Sequence, residues 1–199
     1  MESNSDEKPE QQDVLVPASL AKRMIAYAMD TILLFILIQL VALLIPNLYD
    51  ENSKAEFNNL INQVSILSSD DQLDSSKMAT FLEDSQLSAE TSEMLLSMMF
   101  TACFLPVLYF VCGDAFFRGQ TLGKATFGLR TVTFQNFEPP AFRKILIRSI
   151  VKGLASITLI TPFLLPGVLN FCFCLFNRNK RCVHDLLSGT ITAQPSPQS

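Results

Sequence analysis

Three long apolar stretches stand out from an otherwise polar chain. From Met24 to Ile45 (MIAYAMDTILLFILIQLVALLI), 22 residues carry one charge, Asp30, and at helical rise they span about 33 Å, enough for a bilayer core. This predicts a membrane helix over 24–45. From Met94 to Gly113, 20 uncharged residues predict a second over 94–113, with Pro106 inside it, where a neighbouring helix or ordered water re-satisfies the freed carbonyl. The third stretch, Gly153 to Phe176, has 24 uncharged residues and a break at Thr161-Pro-Phe-Leu-Leu-Pro-Gly167. Each half is then about 13 Å of helix, half of a bilayer. A re-entrant hairpin returning to one face fits this pattern; a single proline-kinked span is the alternative. The first run is too long for a secretory signal core and no small-residue cleavage site follows, so an uncleaved anchor is expected.

The polar segments set the expected orientation, because cytoplasmic loops hold the excess of Lys and Arg. Lys8, Lys22 and Arg23 precede the first helix. The loop 46–93 has only Lys54 and Lys77 against ten acidic residues, whereas 114–152 carries Arg118, Lys124, Arg130, Arg143, Lys144, Arg148 and Lys152. After Phe176 come Arg178, Lys180 and Arg181. The expected layout is a disordered cytoplasmic tail 1–20, a membrane domain 21–193 and a disordered end 194–199. Within the domain lie an acidic outer loop 46–93, a basic inner segment 114–152, the broken segment 153–176 and an inner tail 177–193. The hairpin keeps that basic tail inside; the kinked span puts it outside.

Finer patterning adds three features. Ala141 to Lys152 (AFRKILIRSIVK) places Lys144, Arg148 and Lys152 at i, i+4 and i+8, which reads as an interfacial amphipathic helix with snorkelling basic stems. Leu129 to Phe134 and Gly189 to Ala193 are rich in β-branched residues and predict a small cytoplasmic ribbon, with 135–140 as a turn. The acidic loop has helical periodicity over Lys54 to Leu67 and a Ser/Asp-rich centre that reads as flexible. The fold class is therefore an all-α membrane protein with two transmembrane helices, a third broken apolar segment, the interfacial helix and the ribbon.

Composition supports this class. Hydrophobic residues make up 49% of the 199 and charged residues 17%, against about 25% charged in soluble domains. A net charge of -4 excludes global attraction to nucleic acid. The five cysteines (Cys103, Cys112, Cys172, Cys174, Cys182) lie in or beside apolar segments, which favours reduced, buried thiols over a disulfide framework.

Candidate chemistry is sparse. Asp30 is an ionisable group inside a predicted span, costly unless partnered. It is either a proton- or cation-binding carboxylate or one half of a structural lock with a Lys or Arg of 118–152 or with backbone groups of the broken third segment. Gly119-Gln-Thr-Leu-Gly-Lys124 lacks the spacing of a phosphate loop and is followed by Ala125 instead of Ser or Thr. It reads as a tight turn at the membrane surface, with Gly119, Gly123 and Gly128 allowing close backbone approach and Lys124 facing lipid phosphate or Asp30. Cys172, Cys174, Cys182 and His184 lack structural-zinc spacing, so neither metal nor cofactor is expected. His184-Asp185 has no positioned nucleophile beside it, so no enzyme is expected. Asp185 is left to cap backbone or to pair with an arginine.

These residues together resemble the RDD family of membrane proteins. Arg23-Met-Ile-Ala-Tyr-Ala-Met-Asp30 resembles its R-x-x-A-x-x-x-D signature. Gly119 to Arg130 resembles its G-x-T-x-G-K-x-x-x-G-L-R block, and Asp185-Leu-Leu-Ser-Gly-Thr190 its closing D-x-x-x-G-T. The resemblance implies a membrane location, with Arg23, Asp30 and Asp185 as signature or ion-coupling residues and Lys124, Arg130 and Arg148 as supporting charges. It also implies one of two roles: an accessory or scaffold in a membrane complex, or cation/proton exchange by an oligomer through Asp30. The long acidic outer loop departs from many relatives. Expected partners are an inner-face bilayer with anionic headgroups, a second copy or another membrane protein, and, for the exchanger, a proton or small cation. The expected location is the cell inner (cytoplasmic) membrane, amino terminus cytoplasmic.

Overall fold

In the computed structural model, residues 15–69, 87–160, 164–177 and 180–196 are described. The elements in chain order are strand β1 (Leu15–Pro17), helix α1 (Leu20–Leu44) running into a 3-10 turn (Ile45–Leu48), α2 (Glu51–Ser69), α3 (Ala89–Phe116), the short α4 (Leu122–Ala125), β2 (Arg130–Thr133), α5 (Phe142–Ile160), α6 (Leu164–Phe176), α7 (Val183–Ser188) and β3 (Thr190–Pro195). The chain forms two compact units, Met1–Ile32 with Val107–Ser199, and Leu33–Pro106.

Two helices are long and apolar enough to cross a bilayer, Leu20–Leu48 and Ala89–Phe116, and only 17% and 11% of their most apolar stretches are buried. The core helix of a soluble protein would show the reverse. Their outward residues, including Ile25, Ile32, Phe100 and Phe104, are large and apolar, as lipid-facing surface must be. Both helices start before their predicted limits and α3 also ends later, because single polar residues at a helix end do not stop helical hydrogen bonding.

The third apolar stretch resolves into a hairpin larger than expected. The predicted interfacial helix and the first half of the stretch are one continuous helix, α5, and α6 packs back along it. A Cβ on Gly167 would lie 2.7 Å from the Ala155 carbonyl oxygen, so glycine lets the returning helix approach closely. The kinked single span is thus replaced by a fold-back; residues 161–163, which join its two arms, lie outside the described residues. Pro166 falls in the first turn of α6, where its missing N–H costs no helical bond.

The interfacial reading of 141–152 needs correction. Arg148 and Lys152 are buried, while Leu146, Ile147, Ile150 and Leu154 are exposed. The helix is amphipathic in the opposite sense, its basic stripe turned into the protein, because buried carboxylates wait there.

The ribbon is a three-stranded antiparallel sheet of order β1-β3-β2, with Thr131 opposite Thr192 and Val132 opposite Ile191. Alternation sorts its faces. Val132, Ile191 and Ala193 pack with Leu15, Phe134 and Phe137, while threonine hydroxyls point to the other side. β1, pairing Leu15–Pro17 with Ala193–Pro195, lies where both chain ends were expected to be disordered; residues 1–14 and 197–199 fall outside the described residues.

In the second unit, α2 gives the acidic loop the helix its periodicity predicts. Glu56 accepts from Ser88 N at 2.9 Å, Ser88 Oγ at 2.5 Å and Thr91 Oγ1 at 2.5 Å, capping the start of α3 from α2. The Ser/Asp-rich centre of the loop lies outside the described residues.

Candidate functional site: a buried charge cluster

Among its described residues the first unit gathers three aspartates, four cations that pair with them and a fifth, Arg181, on their backbone. Asp30 projects from α1 and is completely buried. Its Oδ1 accepts from Tyr109 Oη at 2.7 Å and from Gly123 N at 2.8 Å; its Oδ2 accepts from Thr121 Oγ1 at 2.5 Å. Lys152 Nζ stands 3.7 Å from that same Oδ2. The Gly119–Gly128 turn is what brings these donors in. A Cβ at Gly123 would overlap the Ala26 carbonyl oxygen and come 2.9 Å from Asp30 Oδ1, so only glycine lets this backbone reach α1. Gly119, at φ +80°, makes a similarly close approach to the Thr131 backbone, while Gly128 at φ +63° has open space around it.

Asp114, at the end of α3, is the centre of a second group. Lys124 Nζ donates to Asp114 Oδ1 at 2.5 Å and to Thr131 Oγ1 at 2.5 Å, and Thr131 Oγ1 donates to Asp114 Oδ1 at 2.9 Å. Lys124 therefore faces neither lipid phosphate nor, directly, Asp30. Burial pushes its pKa down while Asp114 opposes that shift.

Asp185, on α7, is the third. Arg148 Nη1 donates to its Oδ1 and, at 2.9 Å, to Thr190 Oγ1; Nη2 donates to Thr192 Oγ1 at 3.2 Å, and Nε lies 3.1 Å from Asp114 Oδ2. One guanidinium thus links two carboxylates from different helices, the use for which its planar fork is suited. Arg23 Nη1 donates to the Lys180 carbonyl at 2.6 Å and reaches Asp185 Oδ2 only at 4.0 Å. Arg181 donates to the Asp185 and Thr190 carbonyls and stacks over Phe134.

All three signature residues and two of the three supporting charges enter this cluster. Arg130 does not: it sits on β2 opposite Ala193 and makes no ion pair among the described residues. Asp114, Tyr109, Thr121 and Lys152 complete the cluster and were missed as site residues. Lys152 was visible in the i, i+4, i+8 basic series, and Asp114 as the first charge after an apolar run.

Burial raises the Asp185 carboxyl, but Arg148 above all, with Arg23 beside it, outweighs that and holds it well below the usual carboxylate range. Burial keeps the His184 imidazole neutral, well below its ordinary value. Asp185 therefore contributes stability that is fully present above about pH 4, its ordinary range, and lost as pH falls toward its folded value. Thermal unfolding from pH 7 down to about pH 3 should show Tm falling below about pH 4, and Asp185→Asn should flatten that limb.

Cys182, His184 and Asp185 bring ligand atoms within 4.8 Å of one another, but the Cys182 sulfur is bonded to Cys174 and offers no thiolate to a metal. That bond also corrects the expectation of unpaired thiols here; Cys103 and Cys112 are free.

Buried ion pairs fed by both spanning helices, a helical hairpin and a small sheet define a helical membrane domain organised around a charge cluster. The chain belongs to the RDD family, whose model matches residues 17–189. No curated protein and no solved structure matches it.

Proposed function

We propose that the protein is a non-catalytic accessory or scaffold of a membrane complex, in which the charge cluster locks the fold. One observation carries this reading: both oxygens of Asp30 are occupied by internal donors, three of them hydrogen bonds of 2.5 to 2.8 Å. A carboxylate so satisfied has little capacity left for a transported ion. The charge bias of the loops supports an amino terminus in the cytoplasm of a cell inner membrane, with Arg118 and Arg143, the exposed cations of the basic segment, toward anionic headgroups and the acidic loop outside toward a second copy or another membrane protein.

Proton or small-cation exchange through Asp30 is the second reading, favoured by a small cavity that Asp30 lines. Wild type and Asp30→Asn, reconstituted side by side, separate the two. The scaffold predicts no cation-driven proton flux from wild type and a folded yield reduced several-fold in the variant, from the loss of about 1 to 3 kcal/mol of charge-assisted bonding. Flux in wild type that vanishes at normal yield in the variant establishes the exchanger instead.

A further inference from the structure

Two ion pairs in the cluster are too long for hydrogen bonds. Lys152 Nζ stands 3.7 Å from Asp30 Oδ2, and Arg23 Nη1 stands 4.0 Å from Asp185 Oδ2. The ammonium also lies over the Phe110 ring at 3.9 Å and the Tyr27 ring at 5.1 Å. Among the described residues it has no hydrogen-bond acceptor within reach, although Lys152 is 3% exposed. Arg23 Nε is likewise buried without an acceptor. Unused buried donors are costly.

All four of these charged residues line one cavity of about 20 Å³, with Ala26, Tyr27, Lys124, Arg148, His184 and Thr192 also on its wall. A polar cavity above about 10 to 15 Å³ holds one water when two to four polar partners surround it, and polar contacts beyond about 3.5 Å are what a bridged pair looks like. Its wall carries Arg23, Lys124, Arg148 and Lys152 against Asp30 and Asp185. A cation is therefore disfavoured, while the two carboxylates disfavour an anion. Water, accepting from the ammonium and donating to a carboxylate, satisfies both.

We propose that this cavity is a built water site, whose occupant bridges Lys152 to Asp30 and reaches the Arg23–Asp185 pair, joining two signature aspartates that share no direct contact. The inference holds for scaffold and exchanger alike. It gives Lys152 the role of the water's principal donor, held in place by the two aromatic rings.

The direct test is a wild-type structure of the full chain at a resolution that shows ordered waters. Expected is a solvent peak within about 3.2 Å of both Lys152 Nζ and an Asp30 or Asp185 oxygen. A cavity without one, or direct contact of Lys152 with Asp30, overturns the site. A pair of substitutions gives an independent answer by sign. Ala26→Val would evict the water and strand its donors, lowering Tm by about 5 °C; Ala26→Ser replaces the water's oxygen and should stay near wild type. A rise with Val, or equal losses with Val and Ser, overturns the proposal.

Discussion

Arg148→Met is expected to cost about 3 to 5 kcal/mol, the range for breaking a buried ion pair from one side, and to remove most of the monodisperse protein recovered in mild detergent. Methionine fills much of the arginine stem's volume, so the loss reports charge and hydrogen bonding more than packing. Arg148 is 1% exposed and, among the described residues, alone bridges Asp114 to Asp185. Without it Asp114 still has Lys124, but among the described residues Asp185 keeps only Arg23 at 4.0 Å as a full cationic partner. Arg148→Lys should recover only part of the loss, since one ammonium cannot replace a fork that reaches both carboxylates and two threonine hydroxyls. Combining Arg148→Met with Asp185→Asn should recover more, because it removes the stranded charge. Size-exclusion yield and thermal unfolding read all three; a wild-type Tm for Arg148→Met would show the cluster to be energetically idle.

Gly123→Ala should be nearly as damaging, by about 3 kcal/mol. Overpacking costs about 1 to 3 kcal/mol, and here the added methyl collides with the Ala26 backbone, which is less able to yield than a side chain. Moving away also lengthens the Gly123 N–Asp30 bond of 2.8 Å. Gly128→Ala is the matched control. Its φ of +63° carries the ordinary left-handed penalty of about 1 kcal/mol, with nothing within 4 Å of the new Cβ. A large gap between the two variants in unfolding temperature assigns the cost to close approach; equal effects would assign it to backbone conformation alone.

The long elements were legible because apolar length is a one-dimensional property: 24–45 and 94–113 announce themselves without any knowledge of neighbours. The ribbon was legible too, from β-branched residues at 129–134 and 189–193. The orientation of α5 was not. Its basic spacing fits snorkelling to headgroups and burial against carboxylates equally well, and the choice depends on Asp30, Asp114 and Asp185, which lie 33 to 122 residues from Lys152 in sequence and on three other helices. The candidate lock for Asp30 was likewise readable as a class, a Lys or Arg from 118–152, while its main partners proved to be two hydroxyls and a glycine amide. Neutral donors leave no charge signature in a sequence. β1 was lost for a related reason: three residues carry too little pattern to stand apart from a polar tail.

Strand β1 has a topological consequence. Because Leu15–Pro17 is hydrogen-bonded to Ala193–Pro195, residue 17 and residue 193 occupy the same compartment, and any path between them must traverse the bilayer an even number of times. With α1 and α3 each traversing once, the α5–α6 fold-back contributes zero traversals or two, never one. Reporter domains fused to the two ends of the chain should therefore always be protected, or always be accessible, together.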